Sequence, residues 1–119
     1  MTAWEVRLYP DFVPEFRALP ATVKVHLGDV FDHLRERGPF LGRPEVDTLK
    51  GSMHPNMKEI RLGTAAGWYR FAFAFDPRKR AIILCGGDKG GISQELFYSS
   101  LIRIADTRFT QHLENLKNG

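Results

Sequence analysis

The sequence predicts an α+β domain with a small, mostly antiparallel sheet of about four strands, two N-terminal helices and a C-terminal helix. Apolar and polar residues alternate near the N-terminus and twice in the middle of the chain, where a short continuous apolar run follows; these are strand patterns. Before and after this middle region, apolar residues recur every three to four positions, as in helices. The middle strands are joined by hairpin-length connections, which antiparallel strands permit. We therefore expect a single domain spanning residues 1–119, with the helices against one face of the sheet.

A first strand and a short helix are predicted at the N-terminal end. Residues 3–9 alternate as a half-buried strand does, with one face formed by Trp4, Val6 and Leu8. Asp11 is placed to cap the short helix that follows, in which two phenylalanines lie four positions apart.

A second helix is predicted to begin at Pro20, since proline is tolerated in a first helical turn, and to end at Gly38-Pro39. Its spacing assigns the buried face to Val23, Leu27, Val30, Phe31 and Leu34. Residues 39–56 are rich in proline and glycine, so we expect a long loop there.

Three strands are predicted in the middle of the chain. Residues 57–62 (MKEIRL) alternate, so Lys58 should face the opposite side from Glu59 and Arg61. Residues 68–75 (WYRFAFAF) carry aromatic side chains at alternate positions, and these are expected in the core: Tyr69, Phe71, Phe73 and Phe75. Residues 81–85 (AIILC) are all apolar, as in a strand buried on both faces, and the glycine-rich segment 86–91 should break the sheet.

A long final helix is predicted from Ser93 to about Leu116. Its apolar stripe recurs every four residues, at Phe97, Leu101, Ala105, Phe109 and Leu113.

Positive charge is concentrated in the predicted strands. The chain has a formal net charge of +3, whereas residues 50–89 contain eight Lys/Arg and three Asp/Glu, so the rest of the chain is slightly acidic. A basic sheet with neutral helices indicates an anionic ligand or partner.

No run of 18 apolar residues is present, and the charged N-terminus does not suit a secretion signal, so we expect a cytoplasmic protein without a membrane partner. The single cysteine, Cys85, is expected to be a buried thiol.

Known catalytic motifs do not explain this charge. The four histidines lack metal-ligand spacing, and GGDKGG lacks the spacing and the Ser/Thr of a nucleotide loop, so neither a metal nor another cofactor is predicted. Arg70 is the residue that a purely structural account explains least well, because it lies mid-strand between aromatic residues. It could pair with Glu59 on the neighbouring strand or bind a phosphate group, and the sequence leaves both open.

The assembled elements resemble the RelE/HigB toxins of bacterial toxin–antitoxin pairs, in particular the phage-derived Gp49-like branch. The resemblance covers about residues 4–114 and rests on LKGS (49–52), MKEIRL (57–62), GWYRFAFAFDP (67–77), AIILCGGDK (81–89) and IADTRFTQHL (104–113). It implies a metal-independent endoribonuclease that cuts messenger RNA, often on the ribosome, and that is neutralised by a cognate antitoxin, commonly a helix-turn-helix protein.

The resemblance also implies a set of site residues. Its phosphate-binding arginine corresponds to Arg70, and the other expected catalytic residues are Lys58, Glu59, Arg61 and Lys89. Lys50 and Tyr98 are expected to contact RNA. In this scheme the 2′-hydroxyl of the RNA attacks the adjacent phosphate, Lys58 or Glu59 is the base, and Arg61 or Lys89 assists the leaving group. Arg70→Ala is expected to abolish toxicity and leave the fold intact.

A second function class stays open at this point. ParE-like relatives share the fold but inhibit DNA gyrase, so a non-nuclease binding module is the alternative. The two classes differ in what stops first on expression, translation or DNA replication.

Overall fold

The computed structural model describes residues 4–119, and it has the α+β architecture that the sequence predicts. The elements, in chain order, are β1 (Glu5–Leu8), α1 (Phe12–Arg17), α2 (Ala21–Arg37), a 3₁₀ turn (Gly38–Phe40), β2 (Val46–Thr48), β3 (Lys58–Thr64), β4 (Gly67–Phe75), β5 (Arg80–Asp88) and α3 (Gln94–Asn118). The strand predicted at residues 3–9 begins one residue outside the described part of the chain.

The strands form one sheet in the order β1-β5-β4-β3-β2. Only the β1–β5 pair is parallel, so the sheet is mostly antiparallel, as predicted. β2 is an addition to the four predicted strands, and it lies in the segment that we expected to be a loop. It has only three residues and is a strand because it pairs with β3. A sequence pattern of three residues is too short to predict such pairing.

The helices cover both faces of the sheet, so the expectation that they pack on one face is wrong. α1 and α2 pack against the face that carries the aromatic residues of β4. α3 packs against the other face, where Ala72 and Ala74 of β4 meet Phe97, Leu101 and Phe109. The small alanine side chains let α3 approach the strand, and the apolar run of β5 supplies buried residues to both layers.

The glycine-rich segment does not break the sheet at residue 86, because β5 continues to Asp88. A side chain at Gly86 would overlap the Phe71 ring and the Arg70 carbonyl on β4. This glycine therefore serves close packing between two strands rather than chain reversal. The buried stripe predicted for α2 and the buried aromatic face of β4 are confirmed, although Phe75 is only partly buried. No helix between residues 4 and 119 is both long and apolar enough to cross a membrane.

Candidate functional site

Arg70 lies in the middle strand of the sheet, on the face covered by α3. It pairs with Arg61 on β3 and with Gly87 on β5. Its side chain is only 6% exposed. The guanidinium donates from Nη1 to the Tyr69 carbonyl at 2.9 Å and from Nε to the Tyr98 hydroxyl at 3.2 Å. The arginine is therefore held in a fixed orientation by the backbone of its own strand and by the first turns of α3.

Tyr98 joins Arg70 to an acidic residue. Its hydroxyl donates to Oε1 of Glu59 at 2.7 Å, and the same carboxylate oxygen lies 3.6 Å from Arg70 Nε. Burial raises the pKa of Tyr98, and the hydrogen bond to Glu59 and its charge raise it further. The hydroxyl therefore stays protonated at neutral pH. We call these three residues, Glu59, Arg70 and Tyr98, the Arg70 cluster; it contains the ion pair with Glu59 that the sequence left open.

Arg61 lies on the same face as the Arg70 cluster but nearer to solvent. Its guanidinium is 3.8 Å from Oδ2 of Asp47, which also accepts hydrogen bonds from Nε and Nη2 of Arg43 at 3.0 and 2.8 Å. The backbone N–H of Thr48 and the Arg43 side chain lower the pKa of Asp47. Sequence reasoning missed Asp47 and Arg43 because they lie in the segment read as a loop. The one usable signal was the alternation of Val46, Asp47 and Thr48.

Lys58 is not part of this arrangement. It pairs with Phe73, whose side chain is buried on the α2 face, so Lys58 points away from Glu59 and Arg61. The alternation that separates Lys58 from Glu59 and Arg61 was visible in the sequence, whereas the pairing of Arg61 with Arg70, which separates Lys58 from Arg70, is seen only in the structure.

The other two predicted lysines lie in loops at the two ends of the sheet. Lys50 is exposed in the turn after β2, in a loop that is tied to α3 where Ser52 Oγ and the Met53 N–H donate to Asp106. Lys89 follows β5, and its backbone N–H donates to the Trp68 carbonyl at 2.8 Å. The structure thus brings four of the seven predicted residues to one face: Glu59, Arg61, Arg70 and Tyr98.

A surface recess of about 440 Å³ reaches the Arg70 cluster at Arg70, the one member of the cluster that lines it. Its lining includes three arginines, Arg43, Arg61 and Arg70, together with Trp68, which is 62% exposed. Between residues 4 and 119, no three His, Cys, Asp or Glu side chains are grouped so that they could hold a metal ion. The arrangement offers fixed positive charge in an open recess, and Arg70 links that recess to the Glu59 carboxylate and the neutral Tyr98 hydroxyl.

A second charged cluster, centred on Asp76, joins the β4–β5 turn to α3. The fully buried Asp76 carboxylate accepts hydrogen bonds from the Arg80 side chain at 2.8 Å, from His112 Nε2 at 2.9 Å, and from the backbone N–H groups of Arg78 and Arg80. Burial alone would raise the pKa of Asp76, but these hydrogen bonds outweigh it and lower the pKa. We interpret this cluster as structural, because it closes a turn and anchors a helix.

Residues 14–110 match the family model described as phage-derived protein Gp49-like. Two relatives from Mycobacterium tuberculosis are named as toxins. HigB3 is 40% identical over 115 residues, which cover 96% of this chain and 97% of HigB3. HigB2 is 44% identical over 86 residues, which cover 71% of this chain but 42% of HigB2, so the chain spans less than half of that longer relative.

Two solved structures share the fold. A double mutant of the Escherichia coli toxin RelE in the free state aligns with a TM-score of 0.62 and 18% identity, over 87% of this chain and 96% of RelE. The archaeal RelE–RelB complex from Pyrococcus horikoshii OT3 contributes a chain that aligns with a TM-score of 0.55 and 21% identity, over 77% of this chain and 100% of that one.

Proposed function

The chain belongs to the phage-derived Gp49-like family, and we propose that it is the toxin of a toxin–antitoxin pair and cleaves messenger RNA in the cytoplasm. The toxin assignment is supported by HigB3, which matches almost the entire chain and is named as a toxin. The RNA target is supported by the basic strands and by the three arginines that line one recess.

The observation that carries the nuclease proposal is the grouping of an arginine, a carboxylate and a protonated hydroxyl in the Arg70 cluster. Cleavage by the RNA's own 2′-hydroxyl needs a base, positive charge at the phosphate, and a proton for the leaving 5′-oxygen. We assign the base to Glu59 and the charge to Arg70. Lys58 is no longer a candidate base, because it lies on the other face of the sheet.

The proton for the leaving group is assigned to Tyr98, with Arg61 or Lys89 as assisting cations. The 2′-hydroxyl loses its proton to Glu59 and attacks phosphorus, and the bond from phosphorus to the 5′-oxygen breaks. That oxygen takes the Tyr98 proton, which leaves a 2′,3′-cyclic phosphate and a free 5′-hydroxyl. Glu59 then returns a proton to Tyr98 along their 2.7 Å hydrogen bond, which restores the site.

Binding and aligning the substrate phosphate at Arg70 costs free energy in this scheme. Arg70 is already paired with Glu59 and nearly buried, so a phosphate must compete with that carboxylate for the guanidinium. An external template that holds the RNA in place would supply the missing orientation. This supports cleavage of messages on the ribosome rather than of free RNA.

The test is primer extension on cellular messages after brief induction of the wild type and Arg70→Lys, with Arg78→Lys as the matched control. Arg78 is an exposed arginine in the β4–β5 turn, so its substitution makes the same chemical change outside the cluster. We expect cuts within translated frames for the wild type and Arg78→Lys, their loss in Arg70→Lys, and their suppression when translation initiation is blocked. Growth arrest with intact messages would contradict the proposal, and an early stop in DNA replication would favour the gyrase-inhibitor class.

We further propose that a cognate antitoxin, a helix-turn-helix protein, binds and neutralises this toxin. The toxin names of the relatives support an antitoxin partner, and one chain of the RelE–RelB complex has the same fold. Because Arg70 is buried, Arg70→Lys should remain bound by the antitoxin in a pull-down while it no longer cuts RNA. Loss of both activities together would indicate that the substitution perturbs the whole surface.

A further inference from the structure

Trp68 is the one residue of β4 with a largely exposed side chain. The next six residues of the strand, 69–74, are buried, whereas Trp68 is 62% exposed. Side chains two positions apart on a strand share a face, so the indole lies on the same face as Arg70 and lines the same recess. The tryptophan therefore presents a flat π surface to solvent beside a charged recess.

Gly63, directly opposite on β3, provides the seat for this indole. The two residues are paired across the strands, and a Cβ at residue 63 would lie 2.5 Å from Cζ3 of Trp68. The six-membered ring therefore occupies the space that a side chain at residue 63 would need. The ring is supported from the strand side and remains open on the side of the solvent.

Three arginines line the same recess as this indole. Arg43 and Arg61 share the Asp47 carboxylate, and Arg70 lies at the floor of the recess. The charges of the three arginines, Asp47 and Glu59 sum to +1, so an anion is favoured over a cation or a neutral apolar chain. A nucleotide combines the two features that this surface would bind, a flat π system and a phosphate.

We propose that Trp68, seated on Gly63, stacks on one base of single-stranded RNA next to the phosphate held by Arg70, while Arg43 and Arg61 contact the flanking backbone. This subsite rests on the proposed RNA target. It would bind any base, because every base has a π face, so Trp68 contributes affinity and alignment rather than sequence preference.

The experiment measures binding of a fluorescently labelled hexanucleotide of 2′-O-methyl RNA, which lacks the attacking hydroxyl and cannot be cleaved. Fluorescence anisotropy is compared for the wild type, Trp68→Ala, Trp68→Phe and Gly63→Ala. Phe40→Ala is the matched control, because Phe40 is 93% exposed and lies outside the recess. We expect roughly tenfold weaker binding for Trp68→Ala, a smaller loss for Trp68→Phe, a loss for Gly63→Ala as the indole is displaced, and no change for the control.

A second arm replaces one nucleotide at a time with an abasic residue. At the stacked position the wild type should lose about the same tenfold, whereas Trp68→Ala should lose nothing further, because the contact is already absent. Equal abasic penalties in both proteins, wild-type affinity in Trp68→Ala, or no binding of the oligonucleotide at all would overturn the subsite.

These outcomes are separable from those of the proposed nuclease. Binding of an uncleavable RNA does not depend on cleavage, so stacking without cuts in the primer-extension assay would contradict the nuclease proposal and support the subsite. Cuts that persist unchanged in Trp68→Ala would support the nuclease proposal and contradict the subsite. If Trp68→Ala instead loses antitoxin binding and keeps RNA binding, Trp68 is a protein contact and the stacking proposal is wrong.

Discussion

Replacing Arg70 with alanine is expected to lower the free energy of unfolding by about 3–5 kcal/mol, because the substitution leaves a buried carboxylate without its cation. The Arg70 side chain is 6% exposed and that of Glu59 is 11% exposed. In the variant, Glu59 would retain the neutral hydrogen bond from Tyr98 and lose the only opposite charge that the structure places beside it between residues 4 and 119. Because both members of this pair are buried, we now expect Arg70→Ala to destabilise the fold rather than leave it intact.

The size of this effect depends on burial rather than on distance. The pair of Arg35 with Asp32 on α2 is closer, at 2.7 Å, but its side chains are 39% and 69% exposed. Breaking it with Arg35→Ala should cost less than about 1 kcal/mol, because water solvates the remaining carboxylate. The 3.6 Å pair in the core should thus matter several times more than the 2.7 Å pair on the surface.

Urea unfolding at pH 7, followed by circular dichroism, measures both effects in a double-mutant cycle. Glu59→Gln removes the orphaned charge, so Arg70→Ala/Glu59→Gln should be more stable than Arg70→Ala alone. We expect a coupling energy of about 2 kcal/mol between the two positions. Additive single effects, or a cost of Arg70→Ala as small as that of Arg35→Ala, would refute the burial argument.

Three further predictions concern titration, reactivity and RNA binding. The pKa of Asp76 is lowered in the folded protein, so its ionised form stabilises the fold fully above the unfolded pKa of about 3.9. The wild type should therefore exceed Asp76→Asn in unfolding free energy by a few kcal/mol at pH 7. Urea titrations at pH 7 and below about pH 4 should show this difference shrinking at the lower pH. Burial raises the pKa of Cys85 to about 12, so Ellman's reagent should label this thiol only as the protein unfolds. As a control, Ile92→Cys in the Cys85→Ser background places a thiol at an exposed position, and it should react at once. Asp47→Asn frees Arg43 and Arg61, so it should bind the uncleavable RNA more tightly and with a steeper salt dependence in the anisotropy assay; weaker binding would contradict this.

The parts of the fold that were predicted correctly depend on local periodicity. The buried stripe of α2 and the aromatic face of β4 follow from residue spacing within one element, and these residues are buried where the spacing places them. The parts that were missed depend on pairing between distant segments. β2 is a strand only because β3 lies beside it, and Gly86 is required only because Phe71 lies on the adjacent strand.

The site shows the same division. Resemblance pointed to Glu59, Arg70 and Tyr98, and strand alternation already separated Lys58 from Glu59, whereas its separation from Arg70 follows from the register of β3 and β4. The sequence alone could not show that Tyr98, 39 residues beyond Glu59, would bring its hydroxyl to that carboxylate. It also could not reveal that Asp47 holds Arg43 and Arg61, since these three residues come from a presumed loop and a strand.

The sequence by itself determined the class of the fold, the buried faces of its main helices and strands, and the concentration of positive charge on the sheet, because spacing and composition are properties of the chain alone. Only the tertiary structure decided that helices cover both faces, that Arg70 is a buried partner of Glu59, and that Trp68 remains open beside three arginines. Burial and charge pairing depend on which segments contact one another in space. These contacts determine the desolvation and ion-pair free energies of the charged groups at the site.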